Sequence, residues 1–535
     1  MSAGITVLWS LLSASLTVPA AWILASLAHG SRRAYALVFP LLAAAWATPV
    51  YIGAPLWRFI LHGAAGDSVF SSLTGITVNL MESPVAAFVS TAAVAAWFRL
   101  PQATFILLAA MGRSRRELDD AAAVDGAGMA AISLAIRLPA MKGTLAAVGA
   151  LELVSAIKEF TVPYLMTAGG PPMLAGVTDR TVIGATTTLE IYLYDMFSSY
   201  ADSGIVSAYS VVLSLFVIAA VAVAWRIRSR ASGPSGPGPE RRKARPPRTG
   251  RPAWIPGRLA DAVLGCASWL AVGLLVAAAA VLAWCLLWMA FSGLSVAFVD
   301  GLLPAYPSAD NFRAAFVDDG LGLAFANTLL VSAVVALAVG AVCFPAAAWL
   351  AERTPGVAAL FFAMVQLLSG AGGVHSLIPL YSLWRNLGIP AGYLPVILVY
   401  LYHSAPVALF ALSAFLRDQP RSLREAARME GLGGLGYLAR IQLPLALPAL
   451  AATAMVAFLS AWNGFLAPLV FIDDDARYTI AVKLHAYVGS IASGSPKWNR
   501  FAAASLVNMA IVGTLFRLFK KPLSRSALAE HQGDD

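Results

Sequence analysis

Residues 120–139 of the chain read DAAAVDGAGMAAISLAIRLP, and residues 425–444 read EAARMEGLGGLGYLARIQLP. Each stretch has an acid followed by two alanines, then a glycine after three more residues, and Ile-x-Leu-Pro after a further nine. The second copy begins 305 residues after the first. Identical spacing in the two halves of one chain indicates an internal repeat.

Composition places the chain among membrane proteins. Of its 535 residues, 59% are hydrophobic and only 12% are charged, which is too few charges for a soluble globular protein of this length. The formal net charge is +9, but the Lys and Arg residues cluster in short segments between apolar runs, as they do in cytoplasmic loops. We therefore predict an all-α polytopic membrane protein that binds no nucleic acid.

Eleven apolar runs are candidates for crossing the membrane, since about 20 apolar residues span roughly 30 Å of hydrocarbon. Basic residues collect beside alternate ends of these runs, which predicts an outer N-terminus and places both repeat segments and the C-terminal tail on the cytoplasmic side. The runs lie near residues 5–29, 36–60, 84–111, 131–155, 204–226, 262–290, 323–350, 357–383, 391–416, 444–470 and 501–519.

The repeat and the apolar runs predict four parts of the chain. The linker between the two halves is rich in Arg, Pro and Gly and too polar to order itself, which indicates a flexible cytoplasmic tether. Contact of this linker with anionic membrane lipid is the alternative. In chain order the parts are a first domain (1–228, about five spans, repeat loop 113–139), the linker (229–258), a second domain (259–522, about six spans, repeat loop 417–444) and a polar tail (523–535).

The repeated segment resembles the cytoplasmic coupling loop of permease subunits in binding-protein-dependent ABC importers. A chain with two such loops resembles two type I ABC importer permease domains fused in tandem, with pseudo-twofold symmetry. Further motifs resemble the carbohydrate-uptake, maltose-type class of these importers. They are Met166-Thr-Ala-Gly-Gly-Pro171, the segment 188–197, Asn327-Thr328 and Ala461-Trp-Asn-Gly-Phe465.

This resemblance implies partners and a location. Two cytoplasmic ABC ATPase subunits would dock on the loops, an extracytoplasmic solute-binding protein would deliver a small-molecule solute, and the chain would lie in the cytoplasmic (inner) membrane of a bacterium or archaeon. The residues expected to couple the chain to the ATPases are Asp120, Ala121, Ala122, Gly126 and Pro139 in the first copy, and Glu425, Ala426, Ala427, Gly431 and Pro444 in the second.

The residue types of each loop predict a short helix between two spans. Paired alanines favour a slim helix that another protein can approach closely, and the glycine allows the chain to turn after it. Ser-x-x-Glu at 114–117 and at 422–425 fits a capping box that would start each helix. Pro139 and Pro444 are expected at the start of the helix that re-enters the membrane.

The sequence carries no signature of an enzyme. It lacks a Gly-x-x-x-x-Gly-Lys-Ser/Thr phosphate loop, so ATP and Mg²⁺ are expected in the partner ATPases and this chain should bind no cofactor of its own. Its histidines and three cysteines have no metal-ligand spacing, so we predict no metal site and no catalytic residue. A membrane-embedded enzyme, with the acidic cluster 473–475, is a weaker alternative. A secondary transporter is another, although its repeats are often inverted.

Ionisable residues inside predicted spans are costly and suggest a function. Arg99 and Glu152 each lie roughly 20 Å from the cytoplasmic end of their helices, at about 1.5 Å per residue, so they are expected to meet. They either form a structural ion pair or contact the solute. The expected solute pathway comprises Arg99, Glu152, Ser155, Lys158, Glu159 and Asn463.

In the resembled class, the helix before the Gly-Gly-Pro turn lines the sugar site. The resemblance therefore implies a carbohydrate or polyol as the solute. A non-sugar solute, such as iron, phosphonate or polyamine, is the alternative.

Overall fold

The computed structural model describes residues 1–62, 68–112, 116–177, 182–200, 204–215, 219, 258–293, 303–354, 356–358, 360–361, 364–365, 373–488 and 497–528. These residues are mostly helical, with one antiparallel hairpin of β1 (Pro172–Val177) and β2 (Val182–Gly184). Their contacts form two compact units. Unit 1 is Met1–Pro49, Leu56–Tyr192 and Leu215–Cys285, and unit 2 is Val50–Pro55, Leu193–Ser214 and Leu286–Asp535.

The helices of the first half contain most of the predicted apolar runs. In chain order they are α1 (Ser2–Gly30), α2 (Arg32–Ala47), α3 (Val50–His62), α4 (Val69–Thr74), α5 (Pro84–Gly112), α6 (Arg116–Val124), α7 (Met129–Ala131), a π-helical turn (Ile132–Arg137), α8 (Leu138–Ala140), α9 (Lys142–Ile157), α10 (Thr161–Thr167), α11 (Leu189–Tyr200) and α12 (Gly204–Leu215).

The second half begins with one long helix. Its elements are α13 (Arg258–Phe291), α14 (Asp310–Arg313), a π-helical turn (Ala314–Asp318), α15 (Leu321–Ala351), α16 (Val374–Asn386), α17 (Tyr393–Arg417), α18 (Arg421–Met429), α19 (Gly434–Tyr437), a π-helical turn (Leu438–Gln442), α20 (Leu443–Trp462), α21 (Leu466–Phe471), a 3₁₀ turn (Asp475–Arg477), α22 (Ile480–Val488) and α23 (Trp498–Leu528).

The core of unit 1 forms where α1, α2, α5 and α9 pack together, with one face of α13 against them. Small residues such as Ala25 and Ala103 are fully buried, so the helix backbones approach closely. On α13 the buried residues include Ser268, Val272 and Leu275. Their spacing of four and three places them on one helical face, and this face is the one that unit 1 covers.

The core of unit 2 forms where α15, α17 and α20 pack together. It includes Val335, Leu412 and Ala457, none of which is more than 2% exposed. Side chains of Tyr194 and Phe197, on α11, pack against the same cluster.

The two units repeat a hydrogen-bonded joint. In unit 1 the hydroxyl of Thr6 accepts a bond from the amide of Leu189 at 2.8 Å, and in unit 2 the hydroxyl of Thr328 accepts one from the amide of Ile480 at 2.8 Å. Each threonine also donates to the carbonyl four residues earlier in its own helix. The threonine of the predicted Asn-Thr motif therefore has an equivalent in the first half.

Six described helical segments are long and apolar enough to cross a membrane, and two bent pairs raise the number to eight. α2 and α3 meet at 101°, and the segment Met129–Ala140 meets α9 at 80°. The predicted count of eleven is not confirmed and stays a prediction, as do the predicted domain boundaries. The predicted linker lies outside the described residues except for Arg258, where α13 begins.

Candidate functional site

The first repeat loop is a short helix followed by a left-handed glycine turn. α6 ends at Val124, and Gly126 has a φ of 82°. The amide of Ala127 donates to the carbonyl of Ala122 at 2.9 Å, and the amide of Gly126 donates to that of Ala123 at 3.1 Å. These two bonds close a Schellman motif, which favours glycine because a Cβ would be strained at this φ.

The second repeat loop has the same geometry. Gly431 has a φ of 74°. The amide of Leu432 donates to the carbonyl of Ala427 at 2.9 Å, and the amide of Gly431 donates to that of Arg428 at 3.0 Å. Every bonded group stands at the position that the sequence repeat predicts, so the glycine turn is confirmed in both copies.

Pro139 and Pro444 lie in the first turn of α8 and α20, which begin at Leu138 and Leu443, so the expected position of each proline is confirmed. The helical segments begin earlier, at Met129 and Gly434, and a π-helical turn precedes the proline in each copy. Proline lacks an amide hydrogen and its ring crowds the carbonyl four residues earlier. The wider π-helical turn accommodates both effects, so the chain continues through it into the α-helix whose first turn holds the proline.

The expectation of a capping box at 422–425 is wrong. α18 begins at Arg421, so Ser422 lies inside the helix. The N-cap residue is Pro420, which makes no side-chain hydrogen bond but separates α18 from the preceding helix because proline resists continuation of a helix. The corresponding box at 114–117 lies outside the residues whose side chains are described.

Both loops present apolar side chains to their surroundings at equivalent positions. Val124 and Met429 are each 88% exposed, and Leu118 and Leu423 are 54% and 37% exposed. The repeat acids Asp120 and Glu425 are exposed beside them. Exposed apolar side chains among charges are typical of a protein-docking surface.

An ion pair fastens the first loop to its returning helix. The Nη2 and Nε atoms of Arg137 each lie 2.9 Å from Oδ2 of Asp119 on α6. Both side chains are nearly buried, at 9% and 13% exposure. Sequence reasoning missed this pair, because two charges 18 residues apart are adjacent only once the glycine turn has folded the loop back.

A different ion pair fastens the second loop. Arg424 of α18 pairs with Glu352 at the end of α15, and its guanidinium lies 5.4 Å from the centre of the Tyr437 ring. The side chains of Arg424 and Glu352 are 31% and 43% exposed. This pair is therefore more open to water than the one in the first loop.

A third contact is particular to the first loop. Oδ1 of Asp261, at the start of α13, accepts a hydrogen bond of 2.7 Å from the amide of Ala130. The carboxylate thereby satisfies one of the free amides at the start of the returning helix. The carboxylate occupies the space where a Cβ at Gly128 would lie, so glycine at 128 makes room for it.

The two ionisable residues expected inside spans of the first half are neighbours. Nη1 of Arg99 donates to the backbone carbonyl of Glu152 at 3.5 Å, and the guanidinium lies 5.6 Å from the centre of the Trp9 ring. Glu152 is only 2% exposed. Within the described residues Oε2 of Glu152 and both Nε and Nη2 of Arg99 have no hydrogen-bond partner.

The remaining first-half pathway residues are placed differently. Glu159 accepts a hydrogen bond of 3.2 Å from the amide of Val162, at the start of α10. Lys158 is the C-cap residue that follows α9, and the negative charge of Glu190 favours its charged form. Ser155 is half-buried, one turn before Glu159. Arg99 and Glu152 therefore form the cluster that retains unused bonding capacity.

Asn463 belongs to unit 2, where it ends α20. Its Oδ1 atom is buried and has no hydrogen-bond partner in the described part of the chain. The neighbouring Gly464 lies directly against the hydroxyl of Tyr400, which fills the space that a Cβ at 464 would need. Sequence reasoning missed Tyr400, whose aromatic ring reads as an ordinary apolar side chain in a span.

A cavity of about 440 Å³ in unit 2 has an apolar lining from α15, α20 and the π-helical turn between α19 and α20. It offers few hydrogen bonds to a polar solute. The described residues contain no cluster of His, Cys, Asp and Glu that could hold a metal ion.

Comparison with known proteins gives a match over most of the chain. Residues 17–232 and 342–519 each match the family described as "Binding-protein-dependent transport system inner membrane component". The two matched segments each contain one of the repeat loops, at 120–139 and 425–444.

Individual relatives match one portion of the chain. A putative ABC transporter permease of Streptomyces antibioticus is 32% identical over 207 residues, which are 39% of this chain and 90% of the relative. A trehalose transport system permease of Mycobacterium tuberculosis is 29% identical over 214 residues, which are 39% of this chain and 77% of the relative. A sulfoquinovosyl glycerol transport system permease of Agrobacterium fabrum is 29% identical over 218 residues, which are 41% of this chain and 75% of the relative.

Proposed function

Because the chain belongs to the family of binding-protein-dependent transport system inner membrane components, we propose that it forms the translocation pathway of an ABC importer for a sugar or polyol. The observation that carries this proposal is the duplicated loop. Two segments of equal length end in the same Schellman turn and expose apolar side chains at the same positions. Because the same loop occurs twice in one chain, we expect it to bind two partners of the same kind.

The proposed partners of the loops are two cytoplasmic ATPase subunits. Each exposed helix, α6 or α18, would insert into one ATPase, and each returning helix would transmit the movement of that ATPase to the spans. ATP and Mg²⁺ would bind to those subunits. The Schellman turn fixes the helix relative to the returning segment, so the loop can move as a stiff lever.

The proposed solute is supported by the relatives. Two of them are named for the transport of trehalose and of sulfoquinovosyl glycerol, both of which contain a sugar. An extracytoplasmic binding protein would deliver the solute to the chain, which would reside in the cytoplasmic (inner) membrane.

Purification of the tagged full chain from the native host tests the coupling proposal. Two ATPase polypeptides per chain should copurify, and Gly433→Ala should copurify them equally well because this glycine has an ordinary φ of −69° and open space around it. A chain that purifies intact with no ATPase would contradict the proposal.

Uptake by the native host tests the solute class. ¹⁴C-labelled trehalose, maltose, glucose and glycerol should be offered to a wild-type strain and to a strain lacking this gene. We expect at least one label to enter only when the chain is present. Equal uptake of all four labels by the two strains would contradict a sugar or polyol importer.

Arg99 and Glu152 are proposed as the charged part of the pathway, because each retains polar atoms without a partner among the described residues. Glu152→Gln keeps the shape of the side chain and removes its charge. We expect normal yield of folded protein with reduced uptake of the imported label. Low yield that Arg99→Gln partly restores would instead assign the two residues a structural role.

A further inference from the structure

Unit 2 contains a buried group of uncharged polar atoms that its packing leaves without partners. Oη of Tyr400, Oγ of Ser404 and Oδ1 of Asn463 all lack a hydrogen bond among the described residues. Tyr400 is 7% exposed and Ser404 is 8% exposed. Burial of a polar group without a hydrogen bond is unfavourable, and within a membrane span water cannot be assumed to compensate it.

These atoms lie on α17 and at the end of α20, which meet at Tyr400. Tyr400 and Ser404 are four residues apart near the middle of α17, so they share a helical face. The hydroxyl of Tyr400 lies against Gly464, the residue that follows Asn463. Any side chain at 464 would displace that hydroxyl, so the glycine brings α17 and the end of α20 together at this point.

A satisfied polar network holds the neighbouring side chains in position. Nε1 of Trp462 donates to Oδ1 of Asn508 at 3.0 Å, and Nδ2 of Asn508 donates to Oη of Tyr51 at 3.1 Å. Tyr51 and Asn508 are fully buried. The three unpartnered atoms take no part in this network, in which Trp462 directly precedes Asn463.

Two of the three positions that the sequence repeat pairs with this group are charged in unit 1, the exception being Ala95, which pairs with Tyr400. Ser404 corresponds to Arg99, Asn463 to Lys158 and Gly464 to Glu159. In unit 2 the equivalent place offers only neutral hydroxyl and amide groups. A carboxylate or an ammonium group buried there would find no opposite charge among these side chains, whereas hydroxyl groups could both donate and accept.

We propose that Tyr400, Ser404 and Asn463 form a second, neutral subsite that hydrogen-bonds the hydroxyl groups of the solute. This proposal rests on the proposed sugar or polyol function. The phenol and the serine hydroxyl can each donate or accept, and the amide can do either through its two ends. A polyhydroxylated, uncharged portion of the solute fits this set.

The test compares stability with uptake in full-length variants expressed in the native host. Tyr400→Phe and Ser404→Ala each remove one unpartnered hydroxyl. The melting temperature should therefore stay the same or rise, while the apparent KM for the imported label should increase about tenfold, the value of one hydrogen bond. Ser413→Ala is the matched control on the same helix, because its hydroxyl bonds to the carbonyl of Phe410 at 3.1 Å.

Three outcomes are distinguishable. A raised KM with unchanged stability in Tyr400→Phe and Ser404→Ala, but not in Ser413→Ala, supports the subsite. Wild-type KM in both variants overturns it while leaving the importer proposal intact, as does a loss of melting temperature without a change in KM. Equal uptake of all four labels by the wild-type and deletion strains overturns the sugar function and this subsite together.

Discussion

In the first repeat loop Arg137 pairs with Asp119, whereas at the equivalent positions of the second loop the chain has Gln442 and Arg424. The backbones nevertheless match bond for bond from the exposed helix through the glycine turn. The conformation of the loop is therefore set by the spaced residues that both copies share. The ion pairs that hold the loop against the rest of its unit differ between the two copies.

The charge of the exposed helix differs between the loops as well. Residues 116–125 contain one Arg and four acids, whereas residues 421–430 contain three Arg and two Glu. The apolar positions are kept at the same time, with Val124 and Met429 equally exposed. We therefore expect the two proposed ATPase interfaces to share the same apolar contact and to differ in the charged residues around it.

The largest effect is expected from the feature that the loops share. Gly126→Val and Gly431→Val place a β-branched residue at a φ of 82° and 74°, which costs about 1–3 kcal/mol and disrupts the Schellman turn. Each variant should reduce uptake of the imported label at least about tenfold and weaken copurification of the ATPases. If one variant transports normally, the two loops are not equivalent in coupling.

The ion pairs provide the next test, with the same substitution in each loop. Arg137→Gln leaves the nearly buried Asp119 carboxylate without its main partner and should destabilise the purified chain by about 3 kcal/mol. Arg424→Gln affects a pair that is open to water and should cost about 1 kcal/mol or less. Thermal unfolding in detergent measures both. If both variants lost the same stability, the difference in solvent exposure between the two ion pairs would not determine their contribution.

Two glycines with the same backbone test the contact made by α13. Gly128 and Gly433 have φ values of −76° and −69°, so alanine is conformationally acceptable at both. At 128 the new Cβ would displace the Asp261 carboxylate from the amide of Ala130, with a loss of about 1–2 kcal/mol, as for an N-cap. At 433 the space is open, and we expect no loss of melting temperature.

The Asp261 contact has an internal control. If the carboxylate is the cause, Asp261→Ala should make Gly128→Ala nearly neutral in a double-mutant cycle. Additive losses in the double variant would contradict the assigned contact.

The smallest effect is expected away from the loops, and it separates stability from coupling. Asp319 precedes α15 and lies 2.9 Å from Arg500 and 3.3 Å from Lys497. Burial alone would raise the pKa of Asp319, but hydrogen bonds and the charges of Arg500 and Lys497 outweigh it and hold the pKa below its ordinary value. Asp319→Asn should lower stability at pH 7 by about 1 kcal/mol and leave ATPase copurification unchanged.

The pH dependence of that loss follows from the direction of the pKa shift. A lowered pKa in the folded chain stabilises it above the unfolded value of about 3.9, and the stabilisation disappears as the pH falls through the folded value. The melting temperatures of wild type and Asp319→Asn should therefore converge below about pH 4. A constant difference down to acidic pH would show that the carboxylate charge is not responsible.

Much of the loop could be predicted from the sequence because its determinants are local. A glycine with φ near 80° requires no distant partner, and the paired alanines precede it in the same helix. The positions of Pro139 and Pro444 could be predicted as well, whereas the expectation of a capping box at 422–425 was wrong because alternative local solutions compete. A π-helical turn accommodates each proline, and Pro420 separates α18 from the helix before it without a side-chain cap.

The proposed solute site could be predicted less well. The depth of Arg99 and Glu152 along their helices indicated that they lie close together, but not that Arg99 bonds to the backbone carbonyl. Tyr400 carried no signal in the sequence. Its proposed role depends on the place where α17 passes Gly464, since only the surroundings show that its hydroxyl has no partner among the described residues.

The sequence by itself determined that this chain is a helical membrane protein with a duplicated loop, because hydrophobic run length, residue spacing and glycine positions act within a few turns of helix. Only the tertiary structure decided which charges fasten each loop and which polar atoms in unit 2 are left unused. Those outcomes depend on pairs such as Arg137 with Asp119 or Tyr400 with Gly464. Hydrogen bonds and ion pairs act over a few ångströms, so they exist only after packing has brought distant residues together.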